Sequence, residues 1–211
     1  MPEIVLAGPA GRIETKYHKS YRTDAPVAIV LHPHPLHGGT MNNKVTYSTY
    51  QAFVQKGFNV MRFNFRGVGR SEGTFDNGEG ELADAASVLD WLQGDNPNAT
   101  SFWVAGFSFG AWIAMQLLMR RPEINGFISV SPPANMYDFN FLAPCPVSGL
   151  MIQGTQDEIV SYDAVEALAK KLSAQKAVTV DFEKIEGADH FYTGKLNQLI
   201  DAIGAYLEAH A

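Results

Sequence analysis

Apolar residues follow two different spacings, which alternate along the chain. Short continuous apolar runs are typical of strands buried on both faces of a sheet, and a spacing of three to four residues is typical of helices. The predicted strands cover residues 4–6, 13–18, 27–31, 59–65, 101–106, 126–130, 147–153 and 178–185. The predicted helices cover residues 43–56, 80–92, 109–120, 162–173 and 196–210.

This alternation predicts an α/β fold, with a mostly parallel sheet of about seven to eight strands and helices on both faces. The first two strands are candidates for an antiparallel edge. The helix at 109–120 is almost entirely apolar, so we expect it in the centre of the molecule. A chain of 211 residues has the length of one domain, spanning 1–211. The irregular segment 131–146 is too short for a folded lid, so we expect an open site.

The composition narrows the range of functions. Sixteen Lys and Arg against 22 Asp and Glu give a net charge of −6, which disfavours binding to nucleic acid or to an anionic membrane. The N-terminal residues lack a secretory signal, and no apolar run reaches the roughly 18 residues of a membrane helix, so we expect a cytoplasmic protein. The single cysteine, Cys145, excludes an internal disulfide. We expect no cofactor, and the sequence is compatible with a homodimer without indicating one.

The sharpest motif is Gly-x-Ser-x-Gly at Gly106, Ser108 and Gly110, between a predicted strand and a predicted helix. Such a turn is so tight that its glycine positions leave no room for a Cβ, and its serine is strained, with the hydroxyl lifted towards solvent. The following helix directs the positive end of its dipole here, which favours a developing anion. Ser108 is the candidate nucleophile, and an ordinary turn with an incidental serine is the alternative.

A serine hydroxyl needs a base to remove its proton, and the base needs an acid to orient it. Asp157 and His190 each follow a predicted strand, at the sheet edge where open α/β sheets build their sites. Histidine suits the base role because its ordinary pKa of about 6.5 leaves it mostly neutral at pH 7. Asp138 and Asp189 are rival acids, but Asp189 is adjacent to His190 in sequence and cannot easily reach its ring. The predicted triad is Ser108, Asp157 and His190.

These residues resemble those of the α/β-hydrolase family, in particular its compact, lidless bacterial members related to dienelactone hydrolase and serine esterases. The resemblance runs from about residue 27 to the C-terminus and includes segments 106–110, 154–157 and 187–190. Segment 64–71 is similar to the family's Asp-x-Arg-Gly-x-Gly-x-Ser turn, with Asn64 in place of the aspartate, and Ser161 stands where a proline is common. Dienelactone hydrolase uses a cysteine nucleophile, whereas this turn holds Ser108, so that activity is not implied.

The resemblance also implies an oxyanion hole. In the family, the backbone N–H of the residue after the nucleophile is one donor, and a His-Gly-x segment after an earlier strand supplies the other. Phe109 takes the first position. Here His32, Pro33 and His34 replace His-Gly-x, and because Pro33 has no N–H, the match puts the second donor at His34.

We expect apolar pocket walls, which favour an uncharged, small-to-medium acyl chain. The candidate substrate-binding residues are Leu36, Met41, Phe107, Met136, Tyr137 and Phe191, with Phe139, Phe141 and Tyr192 as further candidates. The predicted function is hydrolysis of small-molecule carboxylic esters through an acyl-enzyme intermediate, without a metal. Thioesters, amides and acyl transfer to an acceptor other than water stay open.

Two other interpretations also stay open. His32, His34 and His37 have the spacing of the His-x-His-x-Asp-His run of metallo-β-lactamase-like hydrolases, which would make the protein a metal-dependent hydrolase. Leu36, however, occupies the aspartate position of that run. A hydrolase fold can also serve as a non-catalytic scaffold or binding protein, because fold does not fix function.

Overall fold

In the part of the chain that the structure describes, a mixed sheet of eight strands forms the middle of the molecule. The structure, a computed structural model, describes residues 3–211, so the first two residues of the predicted domain 1–211 lie outside the described residues. The strands are Glu3–Gly8 (β1), Gly11–His18 (β2), Val27–Leu31 (β3), Asn59–Phe63 (β4), Phe102–Phe107 (β5), Ile124–Val130 (β6), Gly149–Gly154 (β7) and Val180–Ile185 (β8). Their order across the sheet is β1-β2-β4-β3-β5-β6-β7-β8.

The sheet is parallel from β4 to β8 and antiparallel at one side. Strand β2 pairs antiparallel with both β1 and β4, and the five remaining pairings are parallel. Strands β1 and β8 are the two edges. The predicted mostly parallel sheet with an antiparallel edge is therefore confirmed.

Within residues 3–211, five α-helices cover the two faces of the sheet. They are Lys44–Gln55 (α1), Glu79–Asp95 (α2), Phe109–Leu118 (α3), Tyr162–Ser173 (α4) and Leu196–His210 (α5). Helices α2, α3 and α4 contribute to one apolar core, and α1 and α5 contribute to the other. All five residues of β3 are buried, because successive side chains of a strand point to opposite faces and both faces are covered here. Helices on both faces, with α3 almost wholly buried, match the sequence prediction.

The bounds of β3, α4 and α5 are those predicted, whereas β4 ends at Phe63 rather than at residue 65. The strand ends early because the backbone N–H of Phe65 donates to Nε2 of His32, at 3.0 Å, instead of to a neighbouring strand. Helix α2 begins at Glu79, and the Glu81 carboxylate accepts the N–H of Gly78 at 2.7 Å just before it. A side chain distant in sequence thus contributes to the end of β4, whereas a side chain in the first turn of the helix fixes the start of α2.

The carboxyl ends of the parallel strands lie at one edge of the sheet, and the loops that follow them carry the candidate residues. Segment 131–146 adds a one-turn 3-10 helix, Asn140–Leu142, rather than a folded lid. Across residues 3–211, none of the helices has the length and apolar character needed to cross a bilayer.

Candidate active site

Ser108 lies in the tight turn between β5 and α3. Its φ of 55° and ψ of −122° are strained for a residue with a side chain. A Cβ on Gly106 would overlap the carbonyl oxygen of Gly110, and a Cβ on Gly110 would lie 2.5 Å from the carbonyl oxygens of Leu31 and His32. Glycine is required at both positions because the backbone of the turn approaches itself and the end of β3 so closely.

His190 and Asp157 form a hydrogen-bonded pair in the loops that follow β8 and β7. Nδ1 of His190 lies 2.8 Å from Oδ2 of Asp157, and their side chains are only 7% and 0% exposed. A carboxylate can only accept, so this contact keeps the proton on Nδ1 and leaves Nε2 available as an acceptor. His190 and Ser108 line the same cavity, so all three predicted triad residues meet at one place.

The Asp157 carboxylate is held at both oxygens. Oδ1 accepts hydrogen bonds from the backbone N–H groups of Ile159, at 2.9 Å, and Val160, at 2.8 Å. Oδ2 accepts a hydrogen bond from Nε2 of Gln153, at 3.0 Å, in addition to the one from His190. Burial by itself raises the pKa of this carboxyl, but the hydrogen bonds from His190 and Val160 outweigh burial and leave the pKa below its ordinary value. Asp157 is therefore ionised at neutral pH in spite of its burial.

The rival acids Asp138 and Asp189 have other partners. Oδ1 of Asp138 accepts the backbone N–H of Asn140, and Oδ1 of Asp189 accepts that of Thr193, both at 2.8 Å. The hydrogen bonds from Thr193 hold the pKa of Asp189 below its ordinary value. Each of these aspartates stabilises its own turn, whereas Asp157 contacts the His190 ring.

The histidine-rich segment after β3 has one buried ring and two at the cavity. Nε2 of His32 accepts from Phe65, so its Nδ1 carries the proton and donates to the Pro33 carbonyl at 2.7 Å. Burial lowers the pKa of His32 to about 4, so the ring is neutral. His34 and His37 stack with ring centroids 4.4 Å apart, and both line the cavity. Burial, and then the neighbouring His37, lower the pKa of His34.

These histidines do not fit a metal ion. Both ring nitrogens of His32 are engaged with the backbone, and Nδ1 of His34 accepts the N–H of Leu36 at 3.2 Å. In the part of the chain that the structure describes, no group of three or more His, Cys, Asp or Glu side chains could hold one. The zinc interpretation of His32, His34 and His37 therefore finds no support in this geometry.

A cavity of about 320 Å³ opens beside Ser108. The predicted oxyanion residues His34 and Phe109 and the predicted wall residues Met136, Tyr137 and Phe191 line it, as Ser108 and His190 do. Seven further residues complete the lining: Pro33, His37, Gly38, Gly39, Asn43, Pro133 and Ile159. Among the described residues, no Asp, Glu, Lys or Arg side chain lines this cavity.

Leu36, Met41 and Phe107 do not line the cavity, in contrast to the sequence expectation. Leu36 belongs to a one-turn 3-10 helix, Pro35–His37, and is 68% exposed to solvent. Met41 is buried, and its backbone N–H donates to Oδ1 of Asn64 at 2.8 Å. Phe107 ends β5 with its ring fully buried and centred 4.9 Å from the His190 ring.

The further wall candidates Phe139, Phe141 and Tyr192 are also not part of the lining. Phe139 and Tyr192 are buried, and Phe141 packs against the same core as Phe139. Of the lining residues that sequence reasoning missed, Ile159 had a usable signal, because it lies two positions after Asp157 in the same loop. Asn43 had none, since it caps α1 through its side chain and its proximity to Ser108 depends on the path of the chain.

The departure at Asn64 has a structural reason. Its Oδ1 accepts the N–H of Met41, and its Nδ2 donates to Oε2 of Glu14, both at 2.8 Å. An aspartate could accept from Met41 but could not donate to Glu14, and it would bring two carboxylates together. The amide therefore joins the segment after β3 to β2.

The fold and the strained serine turn are those of the α/β-hydrolase superfamily, and comparisons with known proteins agree. The family model described as X-Pro dipeptidyl-peptidase (S15 family) matches residues 21–143. The chain belongs to this family of α/β serine hydrolases.

Similar proteins come from several bacteria. An uncharacterized protein of Rickettsia prowazekii, RP471, is 56% identical over 98% of this chain and 89% of its own length. The crystal structure of ATU1826 from Agrobacterium tumefaciens, described as a candidate α/β hydrolase of unknown function, superposes with a TM-score of 0.95 at 53% identity, covering 98% of this chain and 95% of that one. XC6422 of Xanthomonas campestris, described as an α/β serine hydrolase without a lid, gives a TM-score of 0.89 at 34% identity, covering 99% and 94%. These relatives support a hydrolase function and the lidless fold.

Proposed function

We propose that this protein is a serine hydrolase that cleaves carboxylic esters of small-to-medium acyl groups through an acyl-enzyme intermediate. One observation carries the proposal. Ser108, in its strained turn, opens into the same cavity as His190, whose ring is hydrogen-bonded to the buried carboxylate of Asp157. A buried carboxylate in this position keeps a histidine in the tautomer that accepts a proton and stabilises the imidazolium that forms.

In the first half of the reaction, Oγ of Ser108 attacks the ester carbonyl carbon while Nε2 of His190 takes the hydroxyl proton. The carbonyl oxygen becomes an oxyanion, for which the backbone N–H groups of Phe109 and His34 are the proposed donors. Phe109 is the first residue of α3, so its N–H lies at the positive end of the helix dipole. The alcohol then leaves with the proton from His190, and Ser108 remains acylated.

In the second half, His190 takes a proton from a water molecule whose oxygen attacks the acyl carbon. The new tetrahedral intermediate collapses, Ser108 regains its proton from His190, and the carboxylic acid leaves. Asp157 stays ionised throughout, which its lowered pKa and its hydrogen-bond donors favour.

The lining of the cavity supports an uncharged acyl group. Met136, Tyr137, Ile159 and Phe191 give it apolar walls, and no ionised side chain of the described residues would stabilise a charged acyl group there. A volume of about 320 Å³ lies at the low end for small-molecule pockets, which supports a small-to-medium group.

Hydrolysis of p-nitrophenyl esters of increasing acyl length tests the proposal. We expect turnover by the wild type and its loss in Ser108→Ala, with the best kcat/KM at a short or medium chain. Equal hydrolysis by the wild type and Ser108→Ala would overturn the mechanism.

A fluorophosphonate probe separates the enzyme from the non-catalytic scaffold. Covalent labelling requires an activated serine, so intact-mass measurement should show one adduct on the wild type and none on Ser108→Ala. Absence of an adduct on the folded wild type would favour the scaffold.

A second candidate is cleavage of peptides that carry a free amino terminus. The observation in its favour is an adjoining cleft that contains Glu158 and Asp189 and shares Ile159, His190 and Phe191 with the cavity. Carboxylates in an open cleft attract an ammonium group, which the free amino terminus of an X-Pro peptide provides. Cleavage of Ala-Pro-p-nitroanilide but not of its acetylated form, with a kcat/KM above that for esters, would favour the peptidase.

A further inference from the structure

Gln153, next to the last residue of β7, is a fully buried amide directly beneath the Asp157 loop. Its Nε2 lies 3.0 Å from Oδ2 of Asp157, 3.1 Å from the carbonyl oxygen of Val160 and 3.4 Å from that of Gly154. Its Oε1 is buried without a hydrogen-bond partner among the described residues. One end of the side chain is thus surrounded by acceptors, and the other end is unsatisfied.

The unsatisfied oxygen indicates that the NH₂ half of the amide, rather than its oxygen, suits Gln153 to this position. A buried acceptor without a partner costs free energy, and an apolar side chain in β7 would avoid that cost. The reverse orientation of the amide would put its oxygen against the oxygens of Asp157 and Val160, so the NH₂ group must face them. The side chain is suited to this position by its donors.

We propose that Gln153 is a positioning residue that fixes the Asp157 carboxylate against His190 and limits how strongly the carboxylate stabilises the imidazolium. This inference rests on the proposed function, because it concerns the same pair of residues. Two backbone N–H groups hold Oδ1 of Asp157, whereas Oδ2 depends on side-chain donors for its orientation towards His190. Oδ2 is shared between His190 and Gln153.

Removing the Gln153 donor has two consequences. His190 becomes the sole remaining donor to Oδ2 among these contacts, so the negative charge there stabilises a protonated ring more strongly. The loop 155–160 also loses the hydrogen bond that ties its Val160 carbonyl to the end of β7. The first consequence changes the pH dependence of catalysis, whereas a purely structural role changes only stability.

Gln153→Met tests this, because methionine keeps the length of the side chain and lacks the donors. We expect the acidic limb of kcat/KM to move up by about 0.5 to 1 pH unit and kcat to fall about 5- to 20-fold, with KM within about 2-fold. The matched control is Gln116→Met in α3, which removes another amide that has a buried unsatisfied atom, away from the cavity. A Gln153→Met enzyme that is less heat-stable but has the pH limb and kcat of the control would overturn the proposal.

Gln153→Glu provides a second test of the proposal if the methionine variant fails to fold. The introduced carboxyl group can donate one O–H to Oδ2 of Asp157 when it is protonated, but its ionised form cannot. We therefore expect Gln153→Glu to have near-wild-type kcat at acidic pH and to lose activity at higher pH, where the wild type keeps it. A wild-type profile at high pH would overturn the proposal.

A readout independent of turnover separates this proposal from the proposed function. In the Ser108→Ala background, NMR titration of the His190 ring should show a higher midpoint with Gln153→Met than without it. If no ester is hydrolysed but the midpoint moves, the proposed function fails and the positioning role stands. If esters are hydrolysed and the midpoint is unchanged, the positioning role alone fails.

Discussion

The serine side and the histidine side of the candidate site are held in place by different forces. Ser108 is held by close backbone packing, because Gly106 and Gly110 leave no room for another atom. His190 is held by hydrogen bonds, through a carboxylate whose two oxygens both have donors. The serine side should therefore lose its structure when an atom is added. The histidine side should lose its catalytic geometry when a hydrogen-bond donor or acceptor is removed.

Gly110→Ala should have the largest effect. The new Cβ would lie 2.5 Å from two backbone oxygens, which cannot move without displacing β3. We expect a loss of about 5 kcal/mol or more in the free energy of unfolding, and no activity, measured by urea denaturation and ester hydrolysis. Gly94→Ala is the matched control, because its Cβ would meet open space in α2 and should stabilise the protein by up to about 1 kcal/mol. A stable, active Gly110→Ala enzyme would refute the steric account.

Asp157→Asn probes the histidine side without adding an atom. The amide cannot hold the imidazole in the same tautomer or stabilise imidazolium, so we expect kcat to fall about 10³- to 10⁴-fold while the fold is retained. Circular dichroism and ester kinetics measure the two quantities. Asp189→Asn, next to His190 but bonded to Thr193, should stay within about 3-fold of the wild type. Similar losses in both variants would mean that the acid is wrongly assigned.

His32→Gln tests the serine side through pH, because the His32 carbonyl contacts the turn and its ring holds Phe65. With a pKa lowered from 6.5 to about 4, the folded state stays neutral while the unfolded state binds a proton. Stability from this ring is complete above pH 6.5 and falls on acidification towards pH 4, by at most about 1.4 kcal/mol per pH unit. Urea denaturation between pH 7 and 4.5 should show a shallower slope for His32→Gln. Parallel slopes in the two proteins would exclude His32 as the cause.

Phe191→Ala should have the smallest effect and tests whether the histidine side also forms a substrate wall. Phe191 is half exposed, lines the cavity and lies with its ring centroid 5.2 Å from that of His190. Loss of about 1 kcal/mol of apolar contact should raise KM about 5-fold, more for longer acyl chains, with kcat little changed. Leu36→Ala, exposed and outside the cavity, should leave KM unchanged. A larger change for Leu36→Ala than for Phe191→Ala would show that the cavity is wrongly assigned.

The sheet and its helices could be predicted from the sequence because both depend on local spacing of apolar residues. Strand β3 is buried on both faces and α3 is almost wholly apolar, so their patterns allow one interpretation. The serine turn was visible for the same reason, since a strand, two glycines and a helix are all local. The position of Asp157 and His190 followed from the rule that sites form at the carboxyl ends of strands.

The cavity wall could be predicted only in part, because lining depends on how distant loops meet. Met136 and Phe191 reach the cavity, but Leu36 remains in solvent and Met41 is buried where Asn64 holds its backbone. The early end of β4 had no local signal, since Phe65 donates to a ring 33 positions away. Such contacts are set by tertiary structure rather than by the pattern of neighbouring residues.

Strand β8, at one edge of the sheet, also bears on how the protein behaves in concentrated solution. An unpaired edge can add a strand from another molecule, and exposed charged side chains are a common protection against such aggregation. β8 carries Glu183 and Lys184, both exposed, at adjacent positions in its middle. A second chain that added here would bring its backbone beside these two charged side chains, so we expect this edge to resist growth into larger assemblies.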